Sequence, residues 1–172
     1  MDIQDLGSIG ELIAAIATIG TLGYLAFQIQ MHTRHSRAYT QQNILNELTI
    51  DHVNAAKVPQ LTRQALSDFE RLSSNDQLEF TGIMLPLTVR FEATFRLHRS
   101  GLVDDDLFRA HRAFVLSWLI TPGGSQWWNM FRESYSVDVR ELLDSAIDNN
   151  IDLPPPITES IPFYNYSENE RD

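Results

Sequence analysis

Residues Leu12–Phe27 read LIAAIATIGTLGYLAF, and Gln28–Arg37 follow at once with QIQMHTRHSR. No charged residue occurs from Leu12 to Met31. Coiled into an α-helix at about 1.5 Å per residue, a run of that length reaches roughly 30 Å, the thickness of a bilayer's hydrocarbon. The stretch is therefore read as a single N-terminal transmembrane helix. The alternative is the core helix of a soluble bundle, since its Ala, Gly and Thr lower the mean hydropathy.

The flanks bear on that choice. A secretory leader carries a basic segment ahead of a shorter apolar run and a small-residue cleavage site. Here Asp2, Asp5 and Glu11 precede the run with no basic residue among them, so no cleavage is expected. Arg34 and Arg37 follow it as a juxtamembrane basic flank. Basic residues stay on the cytoplasmic side, which sets the N-terminus outside and the remaining chain in the cytoplasm of a bacterial inner membrane.

Gly10, Ala14, Ala17 and Thr21 recur at steps of three and four, so they share one helix face. Small residues let helix backbones approach closely in lipid, which makes this face a candidate packing seam for a homo-oligomer. A plain anchor that merely tolerates small residues is the other reading. Glu11 stands at the outer mouth of the helix, where it either caps the positive helix end or, if several helices meet, rings a pore.

Beyond the run the pattern is helical throughout. Neither Gly nor Pro occurs between Tyr24 and Val58, so the first helix is expected to continue until Pro59. A second helix is predicted from Pro59 to Leu72. A capping box at Ser74–Gln77 opens a third, with Phe80, Met84, Leu87, Phe91 and Phe95 as its apolar stripe and Pro86 as a kink. Gly101 closes it, Asp104–Asp106 opens a fourth, and AFVLSWLI (Ala113–Ile120) makes that helix the centre of the core. TPGG (Thr121–Gly124) reads as a turn, before SQWWNMF and the amphipathic SVDVRELLDSAI. No alternating strand pattern appears. The fold class expected is all-α: a single N-terminal transmembrane helix (1–35), a cytoplasmic helical bundle (36–150), and a mobile, proline-rich acidic C-terminal tail (151–172).

Composition excludes several functions. The chain has 172 residues, 43% of them hydrophobic and 21% charged, as befits a folded domain. With 13 Lys and Arg against 23 Asp and Glu, its net charge is −10, which repels nucleic acid. The absence of cysteine excludes disulfides, thiolate metal sites and cysteine nucleophiles.

Few residues suggest chemistry. His98 and His111 both continue apolar stripes and are read as hydrogen-bonded core histidines, with a buried polar pair as the alternative if they face each other. His32 and His35 have a metal-binding spacing, but Arg34 and Arg37 beside them repel a cation. Glu47, Asp51 and His52 read as a solvated cluster, and Glu92 with Arg96 as a helical ion pair. Trp127 and Trp128 are read as a plug beside TPGG, with interfacial aromatics as the alternative. No Glu-x-x-His pair, phosphate loop or nucleophile elbow occurs. No catalytic residue, metal ligand or cofactor is therefore assigned.

The blocks ELIAAIATIGTLGYLAFQIQMHTR, RFEATFRLHRSGLVDDDLF and TPGGSQWW, with SVDVRELLD after them, resemble a widespread uncharacterised family of small bacterial proteins. Those proteins carry one N-terminal hydrophobic helix and a TPGG-x-x-WW block. The resemblance spans about Ile9 to Ile147 and implies an architecture without functional residues. The function expected is a membrane-anchored interaction or scaffold module, homo-oligomeric, whose tail meets a protein partner. An oligomeric channel or transport accessory is the alternative, and a small helical enzyme the second.

Overall fold

Helix α1 runs unbroken from Ile3 to Lys57. Its length follows from the lack of helix breakers, and its threonines fit because their hydroxyls bond back to the chain: Thr18 Oγ1 donates to Ala14 O and Thr33 Oγ1 to Ile29 O, at 2.8 and 2.9 Å. The computed structural model describes residues 3–164, with side chains from Ala14 onward except those of Leu48, Asp51 and His52. The protein is all-α, with no strand among the described residues. It divides into two units, residues 1–40 and 41–172. The division falls a few residues beyond the expected boundary at position 35.

The second unit starts inside α1 and continues through α2 (Pro59–Ser67), α3 (Ser74–Arg99), α4 (Asp105–Leu119), α5 (Pro122–Phe131), α6 (Val137–Asp148) and α7 (Ile157–Ser160). Its core gathers Leu66, Phe69, Phe80, Met84, Phe91, Leu116, Trp118, Trp127 and Leu143, all essentially sealed from solvent. α1 ends where Pro59 removes a donor and forces Val58 out of helical geometry, at φ −130°. Buried Thr62 secures this corner, its hydroxyl 3.1 Å from Ala55 O and 3.0 Å from Val58 O.

The helix ends explain most of the register. Ser73, not Ser74, caps α3: its Oγ accepts from Asp76 N and donates to the Asp76 carboxylate. The capping box therefore sits one residue earlier than expected, and Gln77 instead donates to Phe69 O at 3.1 Å. α2 stops at Ser67, short of the expected Leu72, because Asp68 is extended (φ −158°) and leads into the turn before Ser73. Asp104 caps α4 by accepting from Leu107 N at 2.8 Å. Such caps contribute about 1 kcal/mol each. α3 closes in a Schellman motif, with Gly101 at φ +75°, its N–H on His98 O and the Leu102 N–H on Leu97 O. Asn150 closes α6 the same way at φ +52°.

TPGG is more than a turn. Thr121 caps α5, Pro122 takes its first position, and the two glycines form its first turn. A Cβ on Gly123 would lie 1.6 Å from Ala65 O of α2, and one on Gly124 would lie 2.0 Å from Trp118 O. Two backbone surfaces touch here, and only glycine leaves room.

The tail departs most from expectation. Residues 151–164 are not a mobile arm: α7 and the 3-10 turn Pro162–Tyr164 pack on the unit, burying Ile157 and Tyr164. Tyr164 meets the Trp118 ring edge-on at 5.5 Å, and Arg63 Nε donates to Phe163 O at 2.7 Å. Burial of these two side chains outweighs the acidic, proline-rich composition of the segment. The remainder of the expected tail, 165–172, lies outside the described residues.

Candidate functional site

Three places collect the residues that the sequence singles out. The first is the apolar run. Within Ala14–Met31 every side chain is exposed, with Ile19 at 70% and Leu22 at 61%. α1 is the one described helix long and apolar enough to cross a membrane. Of the seam, Ala14, Ala17 and Thr21 lie on this exposed helix, and Thr21 turns its hydroxyl onto Ala17 O at 2.8 Å, so it presents little unpaired polarity. The surroundings of Gly10 and Glu11, at the seam's start and the helix mouth, lie outside the described residues.

The second place is the basic flank. His32, Arg34, His35 and Arg37 are all exposed. Arg34 and Arg37 share one open face of α1 with Ala26, Phe27, Ile29, Gln30 and Thr33. Neither arginine has an ion pair or hydrogen bond among the described residues, whereas arginines of the second unit meet carboxylates, as Arg90 does Glu47 at 2.7 Å and Arg132 does Asp144 at 3.1 Å.

The third is the histidine pair, which the structure separates. His98 stacks on Phe108 at 4.3 Å, and its Nε2–H donates to Asp105 Oδ1 at 2.7 Å. That bond and the charge of His98 hold the Asp105 carboxyl below its usual range.

His111 is buried, 3.0 Å through Nδ1 from Thr94 Oγ1 and edge-on to Phe91. Thr94 already donates its proton to Arg90 O at 2.9 Å, so its oxygen must accept from His111 Nδ1–H. Nε2 is then a bare acceptor, buried with no partner. Burial first, and the positive charge of Arg90 second, push the His111 pKa down to about 4. The two histidines thus have separate partners in place of one shared bond. A neutral imidazole without an orienting carboxylate is a poor general base at neutral pH.

Elsewhere, Trp127 and Trp128 are both buried. Trp127 Nε1 donates to Thr81 at 3.1 Å and Trp128 Nε1 to Asp144 at 2.7 Å, which fits the plug reading. Adjacent on one helix, they reach separate partners on α3 and α6. Glu92 and Arg96 pair at 2.6 Å as expected. Glu47 pairs with Arg90, while the Asp51 and His52 side chains lie outside the described residues.

Three features had no signal in the sequence: the Tyr135 hydroxyl on buried Thr88, the Asp144 acceptor shared by Trp128 and Arg132, and Arg112 with its buried, unpartnered Nε. Each depends on partners from distant elements. Among the described residues no group of three or more His, Cys, Asp or Glu side chains could hold a metal ion. Compared with known protein families, curated proteins and solved structures, the chain matches none.

Proposed function

We propose that the protein is a single-pass, membrane-anchored helical interaction module of a bacterial inner membrane, with its N-terminus outside and the unit from Gln41 onward in the cytoplasm. The observation that carries this reading is the contrast between the units. The second encloses its own apolar core, while the run from Ala14 to Met31 leaves Ile16, Ile19, Leu22, Leu25 and Phe27 in the open. A contiguous apolar surface of that length marks a lipid or protein contact. The acidic residues before the run and Arg34 and Arg37 after it favour the stated orientation. Self-association through Ala14, Ala17 and Thr21, a protein partner for the segment after Tyr164, and membership of the bacterial family resembled in sequence belong to the same proposal.

Alkaline carbonate extraction of membranes holding the full chain tests the anchor, and protease added to sealed inverted vesicles tests the side. The chain is expected in the pellet, with residues after Gln41 cleaved. Recovery in the supernatant would reject the anchor, and protection from protease would reverse the orientation.

A further inference from the structure

The chain carries net charge −10, yet from Leu12 to Asn46 its only charged residues are Arg34 and Arg37. Both are exposed, and both lack an ion pair or hydrogen bond among the described residues. Unpaired arginines are unexpected in a protein with so many surplus carboxylates. Along α1 the nearest acid on the C-terminal side is Glu47, ten residues beyond Arg37, and it is held by Arg90.

The helix face that Arg34 and Arg37 share extends back along α1 through Thr33 and Gln30 to Ile29, Phe27 and Ala26. From Ala26 to Arg37 the rise is roughly 16 Å, at about 1.5 Å per residue. One end of this face is cationic and hydrogen-bond-donating. The other is apolar, with small Ala26 set beside bulky Phe27 and Ile29, which stand 60% and 67% exposed. Thr33 bonds its hydroxyl to Ile29 O at 2.9 Å, and the exposed Gln30 amide lies between the cationic end and the apolar end. A guanidinium presents a planar fork of donors that matches phosphate oxygens. A small anion would use only one end of this surface, whereas an amphiphile uses both.

We propose that Arg34 and Arg37 bind the phosphate of an anionic phospholipid whose upper acyl chain lies along Ala26, Phe27 and Ile29. This rests on the membrane reading and adds a lipid class to it. Juxtamembrane basic residues attract anionic lipid within a Debye length. Here the exposed apolar side chains of Phe27 and Ile29 beside the charges add a contact that diffuse attraction lacks.

The test uses the full chain in mild detergent, offered phosphatidylcholine mixed with a minority of phosphatidylglycerol, and counts retained lipid by native mass spectrometry. Retention of phosphatidylglycerol over phosphatidylcholine is expected, with the preference falling on the order of tenfold in the double variant Arg34→Gln, Arg37→Gln. Arg71→Gln, which removes an exposed arginine of the other unit, should leave it unchanged. Excess inorganic phosphate should not displace the lipid, because phosphate engages only the cationic end. Equal retention of both lipids, an unchanged preference in the double variant, or displacement by phosphate would each overturn the proposal. Failure of the membrane reading gives a different result: the wild-type chain leaves vesicles in alkaline carbonate, and this inference falls with it.

Discussion

Gly123 and Gly82 both lie inside helices, but their surroundings oppose each other. A Cβ at Gly123 would overlap Ala65 O, while one at Gly82 meets nothing within 4 Å. Gly123→Ala should therefore destabilise by about 3 kcal/mol or more, as overpacking against backbone does. Gly82→Ala should stabilise by about 0.5–1 kcal/mol, the ordinary helix preference. Thermal melts of the two variants should shift in opposite directions. His111 supplies a pH dependence. Its folded pKa of about 4 lies below the unfolded 6.5, so the unfolded state binds the proton first and stability falls as pH drops from 6.5 toward 4. Between pH 7 and pH 5 the loss should be about 2 kcal/mol. His111→Phe, which keeps a ring beside Phe91 and removes the bare Nε2, should flatten chemical-denaturation stability across that window.

At the scale of elements, the ends of helices were largely legible, because caps are local chemistry. Asp104 and Gly101 take their expected roles, and the box at α3 is displaced by one residue only because Ser73 and Ser74 are both able to cap. TPGG was half legible. Its turn composition is a local signal, whereas the demand for two glycines comes from Ala65 and Trp118, which reach it only in the folded unit. The separate partners of His98 and His111 were hidden for the same reason, since a shared apolar periodicity says nothing of rings and hydroxyls on the facing helix. The seam on α1 makes its own prediction. If Ala14, Ala17 and Thr21 let helices approach, Ala17→Leu places a branched side chain between backbones, and lipid gives little compensation for its apolar area. Crosslinked dimers or larger species in membranes should weaken with Ala17→Leu and persist with Leu22→Ala. Equal crosslinking of both would leave α1 as an anchor only.

At the scale of the molecule, the second unit is closed by its last described residues. The composition of 151–164, four prolines and scattered acids, carries no periodic signal, so the segment reads as free chain. What binds it is buried Ile157 and Tyr164, with Leu153 and Ile161 packed beside them, together with the Arg63 bond to Phe163 O and the Arg112 bond to Ile151 O. Tyr164→Ala should open Ile151–Phe163 to limited proteolysis while the helices persist in circular dichroism. Trp118→Ala removes the surface on which Tyr164 rests as well as a fully buried ring, and should cost about 3–5 kcal/mol. An unchanged digestion pattern in Tyr164→Ala would return the segment to the mobile arm that its composition suggests.

The docking of Tyr164 against Trp118 also sets a schedule for the ribosome. Synthesis runs at about 5–20 residues per second, so the apolar run ending at Met31 is complete roughly 7 to 27 s before Tyr164 has been added. Throughout that interval the growing chain has already exposed its greasiest stretch but still lacks the residue that covers Trp118. The run can therefore reach its environment before the unit that follows has all the residues that close it.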